Sequence, residues 1–229
     1  MRPNSAWLFN LGADLYGWFT AQSVWRASCA RMVAHLPADA RRIADLGCGP
    51  GVSAIEIARL RRDGLVVGMD VAPRMLPQAR RRLARARLPS PGRVHWVLGD
   101  VARLPFASAS LDALTGHSFL YLLPDRSAAL AEMLRVLRGG GRLVLMEPNR
   151  RAATVRGVLR VGRDPRHLLA VSLWRPFSRV HGRFSAATLV ATLEEAGFVR
   201  CGVEETLGGL GLLAWGEQPL IDITGQVGS

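Results

Sequence analysis

The chain has 229 residues, 49% hydrophobic and 21% charged, with 24 Gly and 13 Pro. A chain of that length can bury about 70% of its extended surface, and the composition excludes a disordered, collagen-like or coiled-coil polypeptide. Thirty basic residues, all of them arginine, stand against 18 acidic ones for a net charge of +12. Such a surface attracts phosphates, anionic lipid or acidic partners without choosing among them.

Cys29, Cys48 and Cys201 are odd in number and widely spaced, with no C-x-x-C pair. They suggest neither a disulfide framework nor a zinc site, no other metal site is expected, and a reduced cytosolic compartment fits best. The opening MRPNSAWLFNLGADLYGWF lacks an apolar run followed by a small-residue cleavage site. Apolar stretches such as Leu207 to Gly216 fall well short of the roughly 20 residues that span a bilayer. The expectation is a cytoplasmic protein, soluble or peripheral to a membrane.

Short β-type runs alternate with helical patterns, which predicts an α/β fold with a mostly parallel sheet. Trp25, Cys29, Met32 and Leu36 recur as one face of a helix closed by Pro37. Residues 43–47 read as the first strand, 47–51 as a turn and 52–61 as a helix. Residues 65–70 form the second strand. The next helix is expected to bury Leu76, Ala79, Leu83 and Ala86 and to expose Arg80, Arg81, Arg82, Arg85 and Arg87. Pro73 suits a first helical turn, and Pro77 demands a late start or a kink. Strands follow at 94–98 and 111–116. A helix over 125–138 is expected to stop at Gly139-Gly140-Gly141, with the fifth strand at 142–147. Ser185 is an N-cap candidate for a helix over 185–196, ended by Gly197. Residues 199–204 and 210–216 complete seven strands.

The most informative stretch is Ala44-Asp45-Leu46-Gly47-Cys48-Gly49-Pro50-Gly51. Glycines let the backbone turn sharply and let a ligand lie against bare main chain. The free N–H groups of the helix beginning at Val52 favour a carboxylate or phosphate. Asp70, at the end of the second strand, is placed to accept hydrogen bonds from two ribose hydroxyls. A dinucleotide fingerprint would need its third small residue at position 52, which is Val; the third glycine stands at 51. That register disfavours a nicotinamide oxidoreductase.

ADLGCGPG resembles the first motif of the class I S-adenosylmethionine-dependent methyltransferases. Gly68-Met69-Asp70-Val71, Gly99-Asp100-Val101-Ala102-Arg103-Leu104-Pro105-Phe106 and Ser110-Leu111-Asp112-Ala113-Leu114 are similar to its later motifs in order and spacing. Residues 134–143 resemble its LRPGG turn, with Gly139 where Pro is usual. The resemblance runs from about residue 41 to 148 and is nearest to the small-molecule group that includes the quinone C-methyltransferases. Leu8-Phe9-Asn10 and Trp25-Arg26 are loosely similar to that group too.

The resemblance implies a Rossmann-like seven-stranded sheet with helices on both faces, in a single domain. Its parts would be an N-terminal helical part (1–40), a donor-binding core (41–148), a basic insertion or lid after the fifth strand (149–184) and a C-terminal helix with strands (185–229). It implies S-adenosyl-L-methionine as cofactor, with Gly47, Cys48, Gly49 and Gly51 around its methionine part and Asp45 orienting the ammonium end. Asp70 would hold the ribose and Val71 would pack on the adenine. Asp100 would accept from the adenine amino group beside Val101. The chemistry is an in-line displacement at a sulfonium methyl, which requires alignment and exclusion of water.

His117, after the fourth strand, reads as a cofactor neighbour and as a base or acceptor-positioning group, or as a hydrogen-bonded structural histidine. Tyr121 reads as an acceptor-side hydroxyl or as a packed aromatic. These two are the catalytic candidates. Glu147-Pro148 borders the same mouth, and Asp112 reads as structural. Asp70 and Asp100 have plain turn-carboxylate alternatives. Cys48 reads as turn packing, and Cys29 and Cys201 as buried thiols.

Residues 150–183 hold nine arginines and one acid, Asp164, interleaved with apolar residues. They read as a lid over a small lipophilic acceptor or a contact with anionic membrane, or as a hairpin packed on the domain. The first reading of function is methyl transfer to a hydrophobic quinone or isoprenoid-like acceptor. A phospholipid amine methyltransferase is the near alternative. A nucleic-acid methyltransferase is disfavoured because His117-Ser118-Phe119-Leu120 stands where an Asn/Asp-Pro-Pro-Tyr/Phe motif would be, and no Pro-Cys nucleophile is present. A non-catalytic cofactor-binding protein is the reading from another class. Nothing in the sequence speaks to oligomeric state.

Overall fold

A computed structural model describes residues 23–151, 174–176 and 178–220. The first helix, α1 (Ser23–Ala34), buries Cys29 and Met32 as its periodicity predicts. Then come β1 (Arg42–Leu46), α2 (Val52–Leu60), β2 (Leu65–Asp70), α3 (Met75–Arg85), β3 (Val94–Leu98), β4 (Leu111–His117), α4 (Arg126–Val136), β5 (Leu137–Pro148), α5 (Ala186–Glu195), β6 (Val199–Thr206) and β7 (Gly211–Glu217).

The seven strands form one sheet in the order β3-β2-β1-β4-β5-β7-β6. The first five are parallel, and β7 runs antiparallel between β5 and β6. β5 shows why the central strands read as continuous apolar runs. Leu143 and Leu145 point into the layer built with Leu130 and Met133 of α4 and Leu189 and Leu193 of α5. Val144 and Met146 point the other way, toward Met32 of α1 and Ile55 and Ile57 of α2. Side chains alternate along a strand, so a sheet covered on both faces needs apolar residues at every position.

Three expectations are corrected. The glycine run does not stop α4. That helix ends at Val136 because Leu137 turns extended to pair with Leu111, and Gly139 to Gly141 lie inside β5. Register shifts between Leu111 and Ala113, and Gly140 takes φ 71 while its N–H bonds Gln218 O at 3.0 Å. The late start that Pro77 demanded is observed: α3 begins at Met75, so Pro77 falls in the first turn, where a backbone N–H has no helical partner to lose. Arg82 is not on the outer face but half-buried, and burial lowers its pKa. Cys201 is also only partly buried.

Asp112 is the structural residue expected. Its carboxylate accepts from the Arg41 and Arg42 N–H groups at 3.0 and 2.8 Å, from the Arg42 guanidinium at 2.9 Å and from Arg138 Nε at 2.9 Å. It thereby ties the start of β1 to β4 and β5.

The basic segment leaves and returns at one place. Arg150 N bonds Phe184 O at 2.7 Å, and Phe184 N bonds Pro148 O at 3.1 Å. Residues 152–173, which carry most of that segment, lie outside the described residues, as do Leu8-Phe9-Asn10.

Candidate active site

The parallel register aligns the strand ends. Leu46 pairs with Met69 and Gly116, and Asp70 pairs with Leu98. The loops after β1, β2, β3 and β4 therefore leave the sheet at one edge. Strand order reverses between β1 and β4, the position where open α/β sheets leave a crevice beyond their carboxyl ends.

The cleft there has about 710 Å³ between its walls. It brings together seven predicted residues: Gly47, Gly49, Asp70, Val71, Asp100, Val101 and His117. Gly47 and Gly49 have φ 62 and 52, a left-handed backbone that favours glycine. Asp70 is held from two sides, with Oδ2 accepting from Gly49 N–H at 2.8 Å and Oδ1 from Ala72 N–H at 2.8 Å. Each oxygen keeps a second lone pair. Burial raises the Asp70 pKa. Beside it Val71 is 53% exposed, an apolar platform on the cleft wall. Asp100 lies exposed at the rim, its Oδ1 accepting from Ala102 N–H at 2.9 Å.

His117 is buried, and its ring lies 4.2 Å from the Trp25 ring, centroid to centroid. Nε2 is 3.2 Å from Ser28 Oγ. Burial pushes its pKa down to about 3, so the imidazole is neutral at ordinary pH. Its Nδ1 and the Oγ of neighbouring Ser118 are buried with no hydrogen-bond partner among the described residues. Both residues line the cleft.

Four predicted residues sit elsewhere. Asp45 does not line the cleft. It is fully buried beneath the loop, accepting from Ser53 Oγ and from Thr115 Oγ1 at 2.8 Å, and burial raises its pKa to about 6. It braces the loop from the core side. Gly51 faces the opposite direction, where an added Cβ would come 2.5 Å from Trp96 and 2.9 Å from Ala79. Its need is packing against β3 and α3. Cys48 lines a side hollow with Trp25, Gly49 and His117, and burial raises its thiol pKa well above the ordinary value. Tyr121 fits its packed-aromatic alternative: at 3% exposed it belongs to the core cluster and is not among the described residues that line the cleft.

Glu147 acts through the backbone rather than at the mouth. Fully buried, it accepts from Phe119 N–H at 3.2 Å, Leu120 N–H at 2.9 Å and Tyr121 N–H at 3.2 Å. Burial pushes its pKa up to about 7. It shapes the turn that carries Ser118, Phe119, Leu122 and Leu123 into the cleft wall. Sequence reasoning missed those four, together with Ala72, Met75 and Gly99. The signal was positional: each lies beyond the carboxyl end of a parallel strand.

These features define the class. Residues 43–141 match the family model described as a methyltransferase domain, and the seven-stranded sheet they belong to has the class I, Rossmann-like methyltransferase fold. Among curated proteins it is 38% identical over 140 residues to the demethylmenaquinone methyltransferase of Deinococcus radiodurans, covering 61% of this chain and 52% of that protein. It is 34% identical over 157 residues to the demethylmenaquinone methyltransferase of Roseiflexus sp., covering 68% and 57%. The chain thus spans about half the length of these curated relatives. The fold is shared with the crystal structure of a putative S-adenosyl-L-methionine-dependent methyltransferase from Methanococcus maripaludis, with TM-score 0.72, 20% identity and 93% and 95% of the two chains covered.

The residues present fit S-adenosylmethionine as cofactor. Bare main chain at Gly47 and Gly49, a carboxylate with unused lone pairs, an apolar platform and two orphaned buried polar atoms meet in one cleft. Among the described residues no group of His, Cys, Asp or Glu is placed to hold a metal ion, and no helix is long and apolar enough to cross a membrane.

Proposed function

We propose that this protein methylates a small hydrophobic acceptor, of the quinone or isoprenoid-like kind, from S-adenosylmethionine. The observation that carries the proposal is the convergence of Asp70, Gly47, Gly49 and His117 on one cleft at the switch point of the sheet. When bound, the cofactor supplies a sulfonium methyl already activated for in-line displacement.

The chain's own residues then have mostly positional work. Asp70, pre-set by the Gly49 and Ala72 N–H groups, accepts from the ribose hydroxyls with its remaining lone pairs. Asp100 accepts from the adenine amino group, and Val71 and Val101 give the base its apolar surface. Asp45 keeps the loop in shape from beneath. Phe119, Leu122 and Leu123 form an apolar wall that keeps water from the reacting methyl. His117, neutral and packed in a tilted contact against Trp25, orients the acceptor or takes its proton. The hydrophobic acceptor is supported by the resemblance to two demethylmenaquinone methyltransferases and by that apolar wall.

Asp70→Ala should lower cofactor affinity at least a hundredfold by titration calorimetry while the far-ultraviolet circular dichroism stays that of the folded chain. Wild-type affinity in that variant would remove the ribose site. A labelled-methyl assay comparing a lipophilic naphthoquinol with phosphoethanolamine tests the acceptor class. Transfer to the amine alone would replace the quinone reading with the phospholipid amine alternative.

A further inference from the structure

A second hollow, of about 760 Å³, lies between α2 and α3, with Arg26 of α1 among its lining residues. Among the described residues, Arg26, Arg59, Arg82 and Arg85 line it, and Glu56 is the one carboxylate. Glu56 is engaged by Arg59 at 3.5 Å. Arg59 also bonds Ala86 O at 3.3 Å, which fixes its side chain across the two helices. Among the described lining residues, four arginines thus stand against one carboxylate. Its remaining lining among the described residues is apolar, from Val52, Ile55 and Ala86, with no aromatic ring.

That combination selects a ligand. Guanidinium forks match phosphate oxygens in pairs. An apolar floor beside them suits the glycerol and first methylenes of a lipid. Single-stranded nucleic acid would call for aromatic stacking surfaces, which the lining lacks. Arg82 supports a built site: it is half-buried, and burial lowers its pKa. Position supports lipid as well. Val52 lines both this hollow and the side hollow that Trp25, Gly49 and His117 share.

We propose that the α2–α3 hollow binds the phosphate of an acidic phospholipid headgroup and so docks the protein on anionic membrane beside its active-site mouth. The proposal does not depend on cofactor binding, and its test is read without cofactor.

The full-length chain is sedimented with vesicles of phosphatidylglycerol and phosphatidylcholine, and with phosphatidylcholine alone. Binding to the mixed vesicles only is expected. R26Q/R85Q should weaken it about thirtyfold, since each arginine near an anionic surface contributes about a fivefold factor. R80Q/R81Q removes the same charge from exposed positions of α3 outside the hollow and should stay within about threefold of wild type. Equal losses in the two variants would show general charge attraction and overturn the proposal. Equal binding to both vesicle types would also overturn it, as would saturation by inorganic phosphate below the lipid concentration required. Preferential binding of a DNA duplex that R26Q/R85Q abolishes would assign the hollow to nucleic acid instead. Matched thermal midpoints and cofactor affinities establish that both variants are folded.

Discussion

Three glycines and one acid of the ADLGCGPG loop divide between two faces of one turn. Gly47 and Gly49 line the cleft, although a side chain on Gly47 would meet Phe119 at 2.9 Å, while Gly51 and Asp45 face the core. The rim of Trp96 lies where a side chain on Gly51 would go, and also where one on Gly68 would go. Gly51→Ala should therefore destabilise the fold by about 2–4 kcal/mol, from the φ of 82 together with overpacking. Urea unfolding measures the loss, and adding Trp96→Leu should recover part of it through their shared contact. Gly49→Val should leave the core intact and block cofactor binding, which calorimetry separates from a stability defect. A motif does not reveal this division, because glycine looks alike whether it makes room for a ligand or for an indole.

At the level of elements, the turn after β4 depends on a carboxylate from β5. Glu147 gathers the N–H groups of Phe119, Leu120 and Tyr121, while Arg126 at the start of α4 donates to Leu120 O at 3.3 Å and Tyr121 O at 3.2 Å. Donors and carbonyls of one turn are thus both satisfied from neighbouring elements. Glu147→Ala orphans three buried donors and should cost about 3 kcal/mol or more. Differential scanning calorimetry reads that as a lower Tm. Because Ser118, Phe119, Leu122 and Leu123 form the cleft wall, cofactor affinity should fall too. Glu147→Gln, which keeps one acceptor oxygen, should restore most of the stability. Sequence placed Glu147 at the strand end beside the mouth. Its role became visible only once β4 and β5 were paired.

For the whole molecule, buried ionisable groups set the dependence of stability on pH. Burial raises Glu147 to about 7 and Asp45 to about 6. In the unfolded chain both ionise in the ordinary carboxylate range. The folded state therefore holds protons that the unfolded chain has released, and this stability is full at low pH and is lost as pH rises through about 6 and about 7. His117, pushed down to about 3, works the opposite way below its ordinary value near 6.5. Two carboxyls outweigh one imidazole, so the urea midpoint should fall between pH 5 and pH 8. Glu147→Gln should abolish that fall. Asp112 and Glu217 lie outside this window: in each, hydrogen bonds from arginines outweigh burial and hold the carboxyl low.

Much of the molecule was legible in the residues alone. Seven strands, the helices between them, the glycine turn and the acids at the ends of β2 and β3 follow from local patterns of period 2 and 3.6 and from turn chemistry, which act over a few residues. The termination of α4 was not legible, because pairing of Leu137 with Leu111 overrides the glycine run that follows. Nor could it be seen that Asp45 and Gly51 face the core, that Tyr121 is packed away while Ser118 and Phe119 line the cleft, or that arginines of three helices surround one hollow. Each of these depends on which side of a turn or helix meets its neighbours, and that is decided by packing between segments distant in the chain. Local sequence determines the elements and the chemistry available at their ends; the tertiary structure decides which of those groups share a cavity.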